Sequence, residues 1–402
     1  MLLKVVFSIF FFSQFSFAIT LEEIKNLSVE RSSLLSAQEM EKRALGSEML
    51  LQGKWQNPQL MSQLGTLKSA SMAGGTAEFS ITQAVPLSDR YSLRRELSQL
   101  ALSMYEKHHE FQKKWVAHQA VLSAWRVFVT HELYKHSKER SGRLAILKRY
   151  MQTRARLSQR QRVELNLFSN TLVRMESEQD QKLNNFNLAL EDLIFWTGKT
   201  IDLKELNLEI PTSTTELILP DIDLENDLQV TLSKTQLKSA GLDQELARKE
   251  RRPDLFIGAG HRVENVSPQN YFNYGIIGLN IPIWDTGSYR IEAAAARLKR
   301  DEKMADEIYK KSKLHQQRQR ELVRHSLALL KRFPKSMVSQ NESSILEAEQ
   351  AFKQGVLDAN TFIQTENQSH ELIDQVYLVW MSYLDNLSNL QLMQSKDLQW
   401  NK

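Results

Sequence analysis

The 402-residue sequence contains no cysteine. That excludes disulfide staples, thiolate metal sites, thiol catalysis and a lipid anchor on an N-terminal Cys. Glycine (14) and proline (8) are scarce for this length. So few turn-formers point to long regular elements, mostly helix. Charge of one sign is lacking too: Lys plus Arg number 52 and Asp plus Glu 48, a net charge of +4. No basic stripe stands out, so nucleic acid is not an expected partner. Long hydrophobic runs are absent beyond the first residues, so no transmembrane helix is expected. The mean hydropathy, −0.42, is that of a soluble globule. Walker, dinucleotide-binding and G-x-S-x-G motifs are missing as well. Adjacent acids such as Glu22–Glu23 and Asp301–Glu302 point apart on a helix and form no catalytic dyad. The nine histidines include His108–His109, His131/His136 and His315/His325. None of these pairs has the i,i+4 spacing of helical zinc ligands, so they read as solvated or seam residues. No enzyme activity, metal or cofactor is expected.

What is present begins at the N-terminus. Residues 1–18 read as a cleavable export signal. Lys4 supplies the positive region, Val5 to Phe12 the apolar core, and Ser16 and Ala18 the small residues before the cut. The mature chain then starts near Ile19, outside the cytoplasm.

The sequence also repeats itself at about half its length. Asn57-Pro58 answers Arg252-Pro253, and Gly65 answers Gly260. Gln83 to Leu87 (QAVPL) answers Leu279 to Ile283 (LNIPI), and Asp89, Arg94 and Glu96 answer Asp285, Arg290 and Glu292. Phe186, Glu191 and Leu193 answer Trp380, Asp385 and Leu387. A nearly constant offset through these landmarks divides the mature chain into a first repeat, 19–208, a linker, 209–222, a second repeat, 223–393, and a tail, 394–402.

Each repeat has one grammar. A helix opens it, over 21–56 and 224–251, and a proline ends that helix. Two strand-like runs follow, over 59–68 and 76–85, then over 254–263 and 271–281. Residues 69–75 and 264–270 are the turns, and the hairpins span 59–85 and 254–281. Alternation is clearest where Ala77, Phe79, Ile81 and Val85 share one face and Thr76, Glu78, Ser80 and Thr82 the other. Leu255, Ile257, Ala259 and Val263 share a face that His261 interrupts. Gly65, Gly258, Gly260, Gly275 and Gly278 suit a sheet where backbones approach closely. Long helices come next. One over 89–150 would run ~93 Å, with Leu97, Met104 and Phe111 at heptad spacing. Its counterpart over 286–344 is interrupted at Phe333-Pro334. Helices over 158–197 and 355–393 return, giving an antiparallel coiled-coil hairpin per repeat.

Four strands of about ten residues match the length of tilted membrane β-structure. Lipid leaves no edge unpaired, and four strands cannot close a barrel alone. In a membrane, several chains must therefore contribute. The other reading of the strands is a soluble β-patch capping a helical bundle. Tyr271, Phe272, Tyr274 and Trp284 are candidates for an interfacial aromatic girdle, or ordinary packing residues.

The run Asn280 to Arg290 (NIPIWDTGSYR), followed by Ala-rich helix, resembles the strand-to-helix junction of the TolC-like outer-membrane efflux channels. Gln83 to Arg94 (QAVPLSDRYSLR) resembles it more loosely, with Tyr91 in place of the junction glycine. Asn57-Pro58 and Arg252-Pro253 match the family's strand starts. Phe352 to Glu366 (FKQGVLDANTFIQTE) resembles the turn at its second periplasmic tip. The resemblance covers the whole mature chain. It implies a mainly α fold with a small β part: a homotrimer whose twelve strands form an outer-membrane barrel and whose helices form a periplasmic tunnel. It implies a conduit, the exit duct of a tripartite efflux or type I secretion system. The duct opens at its tip on docking to a periplasmic adaptor and an inner-membrane pump, and outer-membrane lipid surrounds the barrel.

The junction residues on this reading are Pro86, Asp89, Pro282, Asp285 and Gly287. The tip and docking residues are Arg156, Leu157, Ser158, Arg160, Gly355, Val356 and Leu357. The constriction candidates are Asp358, Thr361 and Glu366. The family's Gly-x5-Asp pattern is broken here, since Thr361 stands where the acid would be. A periplasmic coiled-coil scaffold or adaptor is the alternative, although no lipoyl-like β-domain flanks the hairpins.

Overall fold

The computed structural model describes the chain except residues 1–18, 70–71, 154–157, 202–205, 207, 212–215, 266–268, 281–286 and 401–402. The expected signal segment therefore lies outside the described residues. The element order is α1 (Leu21–Arg31), α2 (Ser33–Gln52), β1 (Gln59–Ser69), β2 (Met72–Pro86), α3 (Arg90–Gln152), α4 (Gln159–Thr197), α5 (Leu228–Lys249), β3 (Asp254–Asn265), β4 (Asn270–Asn280), α6 (Ser288–Arg332), α7 (Ser336–Lys353) and α8 (Ala359–Met393). No described helix is long and apolar enough to cross a membrane.

Local signals account for most of these bounds. Thr20 and Ser158 begin α1 and α4 as capping boxes, each bonded reciprocally with the residue three further on. Asp227 caps α5, three residues inside the expected start. Phe333-Pro334 separates α6 from α7, as a proline must. The opening helix of the first repeat is not continuous, because Ser32 takes an extended backbone between α1 and α2. The first strand turn is also narrower than expected, since β2 already begins at Met72.

The chain forms two compact units, and these do not coincide with the two repeats. One unit combines residues 1–33, 112–222 and 316–402; the other combines 34–111 and 223–315. Each draws on both repeats.

The first unit packs helix on helix. Its main apolar cluster surrounds Trp125, Trp380, Tyr383 and Leu387. Trp125 meets Trp380 and Trp400 edge to face at ring distances of 5.2 and 5.9 Å. A second cluster, with Phe168, Phe352 and Phe362, fills the space near the two hairpin turns. The repeat landmarks Phe186, Leu193, Trp380 and Leu387 are all buried. Ile210 and Leu217, in the stretch expected as a linker, join the main cluster. Gln391 holds the tail by donating to the carbonyl of Gln399 and accepting from its N–H. Trp400 accepts from the N–H of Ile218 and from Tyr383.

The second unit contains one antiparallel sheet of order β1-β2-β3-β4. Its pairing aligns Leu60, Ile81, Ala259 and Gly275 in one row and Ser80, Gly260 and Tyr274 in the next. β2 pairs with β3, so the two repeats share a continuous sheet. β1 and β4 do not pair with each other and remain as its edges.

Candidate functional site

The sheet has two chemically distinct faces, fixed by its register. One presents Leu60, Leu64, Phe79, Ile81, Val85, Leu255, Ile257, Val263, Tyr271, Ile277 and Leu279. Over residues 59–66, 74–86, 254–265 and 270–279 no Asp, Glu, Lys or Arg falls on this face. Its side chains are nonetheless uncovered: Leu60 is 77% exposed, Leu64 79% and Ile277 82%. An uncharged apolar surface of this extent is built to meet a nonaqueous phase or a partner. Its polar members are uncharged and include Ser62, Gln83, His261 and Asn273, with His261 Nδ1 2.7 Å from Asn273 Oδ1.

The opposite face carries Glu78, Ser80, Thr82, Asp254, Arg262 and Glu264. Arg262 donates to Glu264 at 2.8 Å, and the Tyr274 hydroxyl donates to Glu78. Glycine is required at two positions here. A Cβ on Gly258 would sit 2.3 Å from the Ile81 carbonyl oxygen, and one on Gly260 would sit 2.2 Å from the Tyr274 ring. Close approach thus explains these two glycines. At Gly275 and Gly278 it does not, since no atom lies within 3.4 Å of the added carbon. The girdle candidates divide by parity. Tyr271 lies on the apolar face, Phe272 and Tyr274 on the polar one. Trp284 lies outside the described residues.

The strand-to-helix junctions of this unit are tied by ion pairs. Asp89 accepts from Lys249 at 2.9 Å, and that hydrogen bond holds its carboxyl below the usual range. Arg90 binds Asp254 at 2.6 Å. Arg94 and Arg290, which occupy equivalent places in the two repeats, converge on Glu250 at 2.6 and 2.9 Å. Burial opposes ionisation of Glu250, but these two donors keep its carboxyl low. Pro86 closes β2, and Gly287 takes a left-handed φ of 69°. Pro282 and Asp285 lie outside the described residues.

In the other unit lie the two hairpin turns. At the second, Gly355 adopts φ 78°, and the N–H groups of Val356 and Leu357 both bond to the Ala351 carbonyl. This left-handed stop explains the glycine. Val356 is 74% exposed, while Leu357 packs on the cluster of Phe352 and Phe362. Asp358 caps α8, accepting from the Thr361 N–H at 2.8 Å, and that bond keeps its carboxyl low. Thr361 is exposed. Glu366 is fully buried, its carboxylate turned to Arg140 and Arg143. At the first turn, Ser158 caps α4, and exposed Arg160 pairs with Glu164 at 3.0 Å. Arg156 and Leu157 lie outside the described residues.

Sequence reasoning missed Glu250, the surroundings of Glu366, and the tail. Arg94 and Arg290 had been matched as equivalents, but the acid they share lies in neither junction motif. Among the described residues no group of three His, Asp or Glu side chains could hold a metal ion. His118 is a seam histidine: Nε2 lies 3.1 Å from the Lys396 carbonyl and Nδ1 2.9 Å from Ser388 Oγ.

No protein-family model matches the chain, and no curated protein does. Solved structures do. A membrane protein from Pseudomonas aeruginosa superposes with a TM-score of 0.75 at 10% identity, over 94% of each chain. The Campylobacter jejuni CmeC outer membrane channel gives 0.73 at 12% identity, over 93% of this chain and 85% of CmeC. The open state of the Neisseria gonorrhoeae MtrE outer membrane channel gives 0.71 at 12%, over 94% of this chain and 89% of MtrE. By this measure the chain has the fold of the outer-membrane channels: long helices with a small four-stranded sheet.

Proposed function

We propose that this chain is one protomer of an outer-membrane duct for efflux or secretion. The observation that carries the reading is the sheet: one face is apolar, uncharged and uncovered, the other is polar, and both edges are open. Lipid satisfies the first face and water in a pore the second, but neither satisfies an open edge. Copies of the chain satisfy the edges. Three copies supply twelve strands, and the fold shared with CmeC and MtrE supports that assembly.

Residues 1–18 direct export, and the helices stand in the periplasm. The turn residues Arg156, Leu157, Ser158, Arg160, Gly355, Val356 and Leu357 face an adaptor that links the duct to an inner-membrane pump. Asp358, ionised at the start of α8, and Thr361 border the entrance. The duct carries cargo without altering it.

Cell fractionation tests the reading. The protein is expected in the outer membrane, as a trimer that survives detergent and dissociates on heating. Recovery in the soluble periplasm, or as a stable monomer in detergent, would refute it and favour a periplasmic scaffold.

A further inference from the structure

Between the apolar cluster near the hairpin turns and the cluster around Trp125 and Trp380, the seam joining the two hairpins becomes polar. α3 brings His136, Arg140 and Arg143, and α4 brings Arg174, Glu178 and Lys182. α7 brings Glu342 and Glu349, and α8 brings Glu366, Asn367, His370 and Asp374. Glu366 lies 3.6 Å from Arg143 Nε and 3.9 Å from Arg140 Nε. Arg143 donates to His370 Nε2 at 2.7 Å, and Arg140 donates to Asn367. Lys182 joins Glu178 of its own hairpin, at 3.2 Å, to Asp374 of the other, at 2.6 Å. His136 Nδ1 lies 3.8 Å from Glu342.

A seam built only to hold would be apolar, or polar with every group hydrogen-bonded. This one is neither. Both Glu366 oxygens, the Nε atoms of Arg140 and Arg143, His136 Nε2 and Asp374 Oδ1 are buried without a hydrogen bond among the described residues. Charge is therefore buried here at a cost: Lys182 and Asp374 are hydrogen-bonded, but Glu366 meets its two arginines only at 3.6 and 3.9 Å. Such a contact is poised to part.

We propose that this cluster is a proton-responsive lock between the two hairpins of a protomer, in which Glu366 and His370 act in opposite directions. The inference rests on the duct reading, since parting these hairpins opens the tip. An arginine can only donate, so His370 Nε2 accepts and the imidazole is neutral. Burial, reinforced by Arg140 and Arg143, pushes His370 down to about 2 from 6.5. Burial pushes Glu366 up to about 7 from 4.5, against the pull of the same arginines. Asp374 is raised by burial too, and Arg140 is lowered by it.

The signs follow by linkage. Parting the hairpins hydrates both groups and returns them toward their ordinary values. The locked state thus holds the Glu366 proton more tightly, and the parted state holds the His370 proton more tightly. As pH falls from 7 to 4.5, uptake at Glu366 favours locking. As pH falls below 6.5, uptake at His370 favours parting. Between 6.5 and 4.5 the two oppose each other, and the lock is held nearly independent of pH. Asp374 adds to the side of Glu366. Glu366 Oε1 lies 3.9 Å from His370 Nε2, so the two titrate as a coupled pair, and removing either leaves the direction of the other.

The test uses the full-length channel in detergent with cysteines placed at exposed Val163 on α4 and Leu346 on α7. No native cysteine competes for the two nitroxide labels. Pulsed electron–electron distances are recorded from pH 4.5 to 8. The unmodified lock is expected to give a nearly constant distribution below pH 6.5. In Glu366→Gln the parted-to-locked ratio should rise on acidification, by up to ~10-fold per pH unit. In His370→Gln it should fall over the same range. Equal slopes in the two variants, or no slope in either, overturn the lock. A heat-sensitive trimer band from the same samples separates the outcomes. Its presence with no pH response refutes only the lock, whereas its absence in the unmodified protein refutes the duct. Either variant alone, if the other fails to assemble, still shows or lacks its predicted slope.

Discussion

Gly260→Ala is a sharp test of how the sheet is built. The added methyl would sit 2.2 Å from Tyr274 Cζ and 2.3 Å from its hydroxyl oxygen. Carbon atoms cannot approach so closely, so the ring must swing off the strand. Two contributions are then lost. One is the hydrogen bond from Tyr274 to the Glu78 carboxylate, which water on this exposed face largely replaces. The other is the packing of the ring over the bare glycine, roughly 0.5–1 kcal/mol as a cross-strand pair. The expected cost is about 0.5–1 kcal/mol, set by the lost cross-strand packing. In a Tyr274→Ala background the same substitution meets no ring. There it should be neutral or gain a few tenths of a kcal/mol, because alanine fixes the unfolded backbone better than glycine. Urea unfolding of the channel in lipid vesicles, followed by gel mobility, gives the four corners of the cycle. The reasoning fails if Gly260→Ala alone costs under about 0.5 kcal/mol, or if the two substitutions are additive.

Other perturbations bear on the remaining parts. Ile277→Arg, on the uncovered apolar face, should cost ~2–4 kcal/mol of folding into vesicles, while Gln63→Arg on the polar face should cost far less; equal effects would refute the assignment of faces. Asp358→Ala removes the cap of α8 and should fray its first turn, with Asp358→Asn retaining most of the cap; hydrogen exchange of the N–H groups at 359–362 measures the fraying. His118, pushed down to about 4 by burial, binds its proton more tightly once exposed. The tail it holds through the Lys396 carbonyl should therefore be most secure above pH 6.5 and loosen progressively toward pH 4. Protease cleavage in the tail reads this, and a pH-independent rate would contradict it.

The elements were legible where local chemistry decides. Period-two alternation located β2, Ser158 marked the start of α4, and Pro334 marked the break after α6. The faces of the aromatics were legible in principle, since Tyr271 and Tyr274 differ in parity along one strand. Other features depend on partners far along the chain. Ser32 interrupts the first helix with no glycine or proline beside it to announce the break. Glu366 reads from sequence only as a carboxylate near the Gly355 turn, its facing undecided, because the arginines that bury it lie more than two hundred residues away on α3. The tail carries no motif, and its role becomes visible only in the bonds to Ile218, Tyr383 and Gln391.

The convergence of Arg94 and Arg290 on Glu250 has a bearing on descent. A faithful duplication would give each arginine its own acid. Near the place in the first copy that corresponds to Glu250 stand Lys54 and Trp55, neither of them acidic. The first copy has thus kept its donor and come to rely on the acceptor of the second. The β2–β3 pairing and the two compact units bind the copies in the same way. The ancestral module is no longer separable: a gene fragment encoding the first half would yield a chain with an orphaned Arg94, a β2 paired on one side only and an incomplete cluster around Trp125.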